Sequence, residues 1–115
     1  MVARKKHPMF RGLSFKNPPV ICGLNQIEPR KGSVVILAAK RIVDKKEFPL
    51  LVLDSNKRIA ALATDLAPHW CGGMVDWGTK RLKLRVKDKI WIEVGNRYAQ
   101  FVSNLIRWLA RRGKN

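Results

Sequence analysis

Two uninterrupted apolar runs, Val34-Val35-Ile36-Leu37-Ala38-Ala39 and Leu50-Leu51-Val52-Leu53, constrain this chain more than any other feature. Side chains of a strand alternate between two faces, so an apolar run without polar interruption demands cover on both. A third run, Arg58-Ile59-Ala60-Ala61-Leu62-Ala63-Thr64, follows the polar turn Asp54-Ser55-Asn56-Lys57, and that spacing predicts a hairpin with Phe48–Leu53. A chain of 115 residues suffices for one domain with a single core. No apolar run approaches the roughly 18 to 20 residues that span a bilayer. The start, Met1-Val2-Ala3-Arg4-Lys5-Lys6-His7-Pro8, is positive but has no apolar stretch behind it, so a cytoplasmic protein without membrane contact is expected.

The single domain, residues 1–115, divides into five stretches. Residues 1–31 carry Pro8, Pro18, Pro19 and Pro29 and read as an extended arm with one or two short strands at most. The central strands occupy 32–65, and a Gly/Trp loop fills 66–80. Within 81–95, Arg81-Leu82-Lys83-Leu84-Arg85-Val86 and Ile90-Trp91-Ile92-Glu93-Val94 alternate cationic and apolar residues, which predicts a half-exposed basic hairpin. Its outward lysines and arginines also discourage edge-to-edge pairing. Residues 96–113 read as a helix capped by Asn96 and ended by Gly113, with Tyr98, Phe101, Val102, Leu105, Ile106 and Leu109 on a core-facing stripe.

Lysine and arginine number 24 against 8 acidic residues, a formal charge of +16. Such a surplus attracts phosphate polyanions, and nonspecific nucleic-acid binding at low salt follows from it. The cations fall in separate blocks, however, and no aromatic RNA-binding motif, helix-turn-helix pattern or KH loop accompanies them. A lysine-rich surface also suits a thermophile, although acidic partners are scarce. Cys22 and Cys71 stand far apart without CxxC spacing and read as reduced thiols in or near the core. With His7 and His69 as the histidines, a four-ligand metal site would consume every Cys and His present, so neither metal nor cofactor is expected.

The chemistry-bearing residues gather in Thr64-Asp65-Leu66-Ala67-Pro68-His69-Trp70-Cys71-Gly72-Gly73-Met74-Val75-Asp76-Trp77. Polar, aromatic and glycine residues collect there where an apolar strand opens into a loop, a common place for a site. His69 is a candidate base, and Asp65 or Asp76 could orient it. The competing reading makes His69 and Trp70 packed loop residues, Asp65 a bracket of the turn, and Gly72-Gly73 a source of backbone freedom. Trp70, Trp77, Trp91 and Trp108 read mainly as core or subunit contacts.

The order His7-Pro8-Met9-Phe10-Arg11-Gly12-Leu13, Asn17-Pro18-Pro19, Gly23-Leu24-Asn25, Pro49-Leu50-Leu51-Val52, Arg58-Ile59-Ala60-Ala61, Thr64-Asp65, Ala67-Pro68-His69-Trp70, Val75-Asp76-Trp77 and Asn104-Leu105-Ile106-Arg107-Trp108-Leu109-Ala110 resembles the C-terminal half of the glutamine amidotransferase-like family. That family is itself similar to the ThuA-like proteins. The resemblance implies an α/β, flavodoxin-like class I amidotransferase sandwich, represented here by its completing portion: a mixed, largely antiparallel sheet with hairpins packed against a C-terminal amphipathic helix. It further implies that the βαβ units and the nucleophile turn belong to an N-terminal half outside this sequence. His69 matches the position of the family's catalytic His, with Asp65 or Asp76 as its carboxylate. The expected role is a non-catalytic structural or interaction module, acting as a homo-oligomer or with a separately encoded N-terminal half. The alternatives are a hydrolase or amidotransferase active only with such a partner, and a small basic nucleic-acid-binding protein.

Overall fold

The computed structural model describes residues 1–111. Strands β2 (Val34–Lys40) and β3 (Glu47–Leu53) form the centre of a four-stranded sheet of order β1-β2-β3-β4, flanked by β1 (Val2–Ala3) and β4 (Ala60–Leu62). Each pairing is antiparallel, so the fold is α+β with antiparallel sheets. The register runs from Val34 opposite Leu53 to Lys40 opposite Glu47, with an irregularity around Leu37. Ile36 to Ala39 and Leu50 to Leu53 are all buried, as unbroken apolar runs require. The turn after β3 closes on Asp54, whose Oδ1 accepts from the amides of Arg58 (2.9 Å) and Ile59 (3.2 Å). Those two bonds hold its carboxyl below the usual carboxylate range. β4 is shorter than the apolar run that encodes it. Ile59 is exposed, and past Leu62 the Ala63 amide still reaches Leu50 O (2.8 Å) while Ala63 O accepts from Asn25 N (2.7 Å).

The N-terminal arm is more ordered than its prolines suggest. β1 pairs with Leu37 and Ala38, and Pro8–Phe10 form a turn of 3-10 helix in which His7 Nδ1 accepts from Met9 N (3.1 Å). Met9 is buried in the core. Asn104 grips this turn from the C-terminal helix: its Nδ2 donates to Met9 O (2.9 Å) and Arg11 O (2.8 Å), and its Oδ1 accepts from Gln100 (2.7 Å). The His7 ring meets Trp108 edge-on at 4.6 Å, and the Arg111 guanidinium stacks on that indole at 3.5 Å.

Helix α2 (Asn96–Ala110) buries Phe101 and Leu105, one helical turn apart, with Tyr98, Val102 and Trp108 partly buried beside them. Ile106 and Leu109 do not join that stripe; both are exposed. The predicted cap is also corrected. Gly95 occupies the N-cap, and Asn96 is the first helical residue. The Asn96 side chain turns outward to accept from the amides of Thr79 (2.8 Å) and Lys80 (3.2 Å), tying the preceding loop to the helix start. Glycine is required at 95 because a Cβ there would collide with the Trp77 carbonyl oxygen. Gly113, the expected helix stop, lies outside the described residues.

Between sheet and helix, the chain supplies Cys71, Met74 and Trp77 to one continuous core that joins Leu37, Leu51 and Leu53 to Phe101 and Leu105. β5 (Arg81–Lys87) and β6 (Ile90–Gly95) form a separate two-stranded sheet.

Two outcomes test this packing. Phe101→Ala should destabilise the fold by about 3–5 kcal/mol in chemical unfolding, because it opens a cavity where nothing is exposed to water. Burial, with Lys57 and Arg111 nearby, lowers the His7 pKa beneath its ordinary 6.5. Below that value the unfolded chain binds the extra proton, so this contribution to stability falls as pH drops and is flat above it. The decline in melting temperature from about pH 7 to about pH 5 should be shallower in His7→Asn, whose side-chain oxygen can still accept from Met9 N.

Candidate functional site

The segment after β4 is wound rather than open. Residues Pro68–Cys71 make one turn of helix, α1, which continues into a 3-10 stretch over Gly72–Asp76. Asp65 brackets the turn: its Oδ1 accepts from Ala67 N (3.2 Å) and Cys71 N (3.1 Å), while Cys71 N also reaches Ala67 O (3.1 Å). The Tyr98 hydroxyl donates to Leu66 O (2.7 Å) and ties the segment to α2. Across the other side lies the arm. The amides of Cys22 and Gly23 both donate to Trp70 O (2.7 and 3.0 Å), Gly73 N donates to Val20 O (2.9 Å), and Thr64 Oγ1 donates to Gly23 O (2.8 Å). Residues 20–25 therefore act as a strap over the 63–73 segment.

Within this frame His69 sits on α1 with its side chain exposed. Among the described residues, no hydrogen bond or ion pair joins it to Asp65 or Asp76. Asp65 is half-buried and occupied by the two amides of its own turn. Asp76, exposed at the end of the 3-10 stretch, forms an ion pair with Arg81. That guanidinium also reaches the Glu93 carboxylate at 3.8 Å and Glu93 O at 3.1 Å. The three candidates thus share one segment of chain without forming a hydrogen-bonded set. Cys71, two residues from His69, is fully buried. Its burial, the Asp65 carboxylate and the Cys22 thiol all push its pKa up, leaving little thiolate at neutral pH. Burial, followed by Cys71 and Asp65, likewise raises the Tyr98 phenol.

The tryptophans separate by environment. Trp77 is core; Trp70 is half-buried, close enough that a Cβ on Gly23 would lie 3.4 Å from its ring; Trp108 is held between His7 and Arg111. Trp91 differs, being half exposed with Lys83 Nζ 5.6 Å from its ring centre. All five ion pairs among the described residues use an arginine, so no lysine there is paired with a carboxylate. No group of three or more His, Cys, Asp and Glu among the described residues is placed to hold a metal ion.

Sequence reasoning missed the parts played by Cys22, Tyr98 and Asn96 around this segment. Their bonds span long separations and leave no local pattern; the Val20-Ile21-Cys22 run is the one hint. If Asp65 works as the bracket of α1, Asp65→Ala should cost about 0.5–2 kcal/mol in urea unfolding, and Asp65→Asn should retain most of that stability.

No curated protein matches this chain. The family model described as "Putative glutamine amidotransferase" matches residues 1–109, nearly the whole sequence. The strand order, the wound segment after β4 and the closing helix thus fall within one matched unit, and the chain belongs to the glutamine amidotransferase-like family.

Proposed function

We propose that this chain is a non-catalytic structural or interaction module of the amidotransferase-like fold, working in a cytoplasmic assembly with copies of itself or with a separately encoded N-terminal half. The observation that carries this reading is the β5–β6 hairpin. Leu84 lies opposite Ile92, and towards the turn follow Val86, at a break in the register, and Ile90, which pairs with a lysine. All four are exposed, at 40, 45, 62 and 54% respectively. The sequence pattern predicts that such a row would cover core; here it faces water. A two-stranded ribbon is marginal by itself, and an exposed apolar row flanked by cations is what an interface leaves uncovered in a single chain. The candidate residues fit the same reading, because Asp65 and Asp76 are engaged by partners other than His69.

The test is solution mass. The purified chain should scatter light as a species larger than its 13.2 kDa protomer, and Ile92→Lys should reduce that mass without unfolding the sheet. A monomer at every concentration, which also fails to capture a co-expressed βαβ half, would remove the proposal.

A second reading treats His69 as the base of an amidase or glutaminase site completed by a partner half, and its exposure on α1 favours that reading. Glutaminase activity appearing in the two-half mixture and disappearing in His69→Ala would replace the non-catalytic role. The unpaired lysines support nonspecific nucleic-acid binding as a further alternative. It should weaken steeply with added salt and show no sequence preference.

A further inference from the structure

Cys22 and Cys71 are distant in sequence and the fold brings them together. The amide of Cys22 donates to Trp70 O at 2.7 Å, and Gly73 N returns a bond to Val20 O at 2.9 Å. These bonds flank the two cysteines on both strands of the strap. Between Trp70 and Gly73 the chain needs Gly72, which has φ +54°, and a Cβ on it would stand 2.6 Å from Cys22 Sγ. The missing side chain is therefore the space against which the Cys22 sulfur rests, one residue from Cys71. Their exposures differ in a useful way: Cys22 is exposed and Cys71 is buried. The sequence has just these two cysteines.

We propose that Cys22 and Cys71 form a reversible dithiol–disulfide site, taking small-molecule disulfides of the glutathione class as oxidant and thiols of the same class as reductant. The exposed Cys22 thiolate attacks one sulfur of the oxidant, forming a mixed disulfide and releasing one thiolate that takes up a proton. Cys71 then attacks Cys22 Sγ, its proton passing to the departing thiolate, and the second small thiol leaves. Both protein thiols are oxidised by two electrons, and one disulfide is reduced to two thiols. The product staples residues 20–25 to α1. Cys22 also lines a groove of about 630 Å³ between the arm and the β2–β3 turn, so the bond fixes one wall of that groove. In a reducing compartment such a bond is transient, as expected of a redox-responsive rather than a structural disulfide.

The test treats the folded, full-length chain with oxidised glutathione and maps it by intact mass and alkylation. The wild type should lose two hydrogens, retain no glutathione, lose alkylation at both cysteines together and remain a single chain, all reversed by dithiothreitol. Cys71→Ser should stop at a glutathione adduct on Cys22, and in Cys22→Ser the Cys71 thiol should remain alkylatable after unfolding. Closure in the native protein should be at least about tenfold faster than in urea, because the fold supplies the local concentration. A wild type that halts at the Cys22 adduct, forms disulfides between chains, or closes no faster than the unfolded chain would overturn the proposal. The wild-type map and its urea comparison decide this whether or not the serine variants fold.

Discussion

The two-sided burial of the β2–β3 pair is the constraint from which the rest of this structure follows. Four successive residues on each strand are closed to water, and a strand pair alone cannot shield both of its faces. Cover is supplied by pieces from opposite ends of the sequence: Met9 from the arm, Met74 and Trp77 from the 3-10 stretch, and Phe101 and Leu105 from α2. The polar ties then hold those pieces in place. Asn104 bonds the arm to α2 with each of its amide atoms engaged, and Asn96 binds the Thr79–Lys80 backbone to the helix start. These half-buried amides bond only at set distances and angles, so they select one docking of the pieces more sharply than apolar contact does.

The same docking decides what the 64–77 segment can do. Asp65 is drawn into closing α1, and Asp76 is drawn to Arg81. Once those carboxylates have partners, His69 is left on the outside of its turn while Cys71 points into the core. A general base needs an orienting acceptor within hydrogen-bond reach and a nucleophile beside it. Family membership therefore places this segment in an amidotransferase-like frame, while among the described residues no hydrogen bond joins His69 to either carboxylate.

Charge and apolar exposure meet on the β5–β6 hairpin. One face carries Lys83, Arg85 and Trp91, and the other carries Leu84 and Ile92. Cross-strand pairing keeps these sets apart, because residues directly opposite one another share a face. Cations along the ribbon keep isolated chains from stacking edge to edge, whereas the apolar row gains from being covered. The paired acids sit with arginines, and the lysines remain as a diffuse positive field.

Much of the fold was legible because local patterns report local structure. Unbroken apolar runs marked β2 and β3, period-two alternation marked the hairpin, and the i, i+4 spacing of Phe101 and Leu105 marked the buried face of α2. The ordered short motifs identified the family, and the match over residues 1–109 agrees. Where the reading departed from the structure, a distant partner had intervened. Asn96 has the chemistry of a cap, yet its oxygen serves Thr79 and Lys80. Ile106 and Leu109 have helical spacing, yet among the described residues both stay exposed. The nearness of Cys22 to Cys71 depends on the strap of bonds to Trp70 and Gly73. Sequence by itself determined β2, β3, the β5–β6 hairpin and α2, since those choices depend on side-chain periodicity and turn chemistry within a few residues. Only the tertiary structure decided which carboxylates are occupied, which apolar rows face water and which thiols meet, because each depends on contacts between segments tens of residues apart.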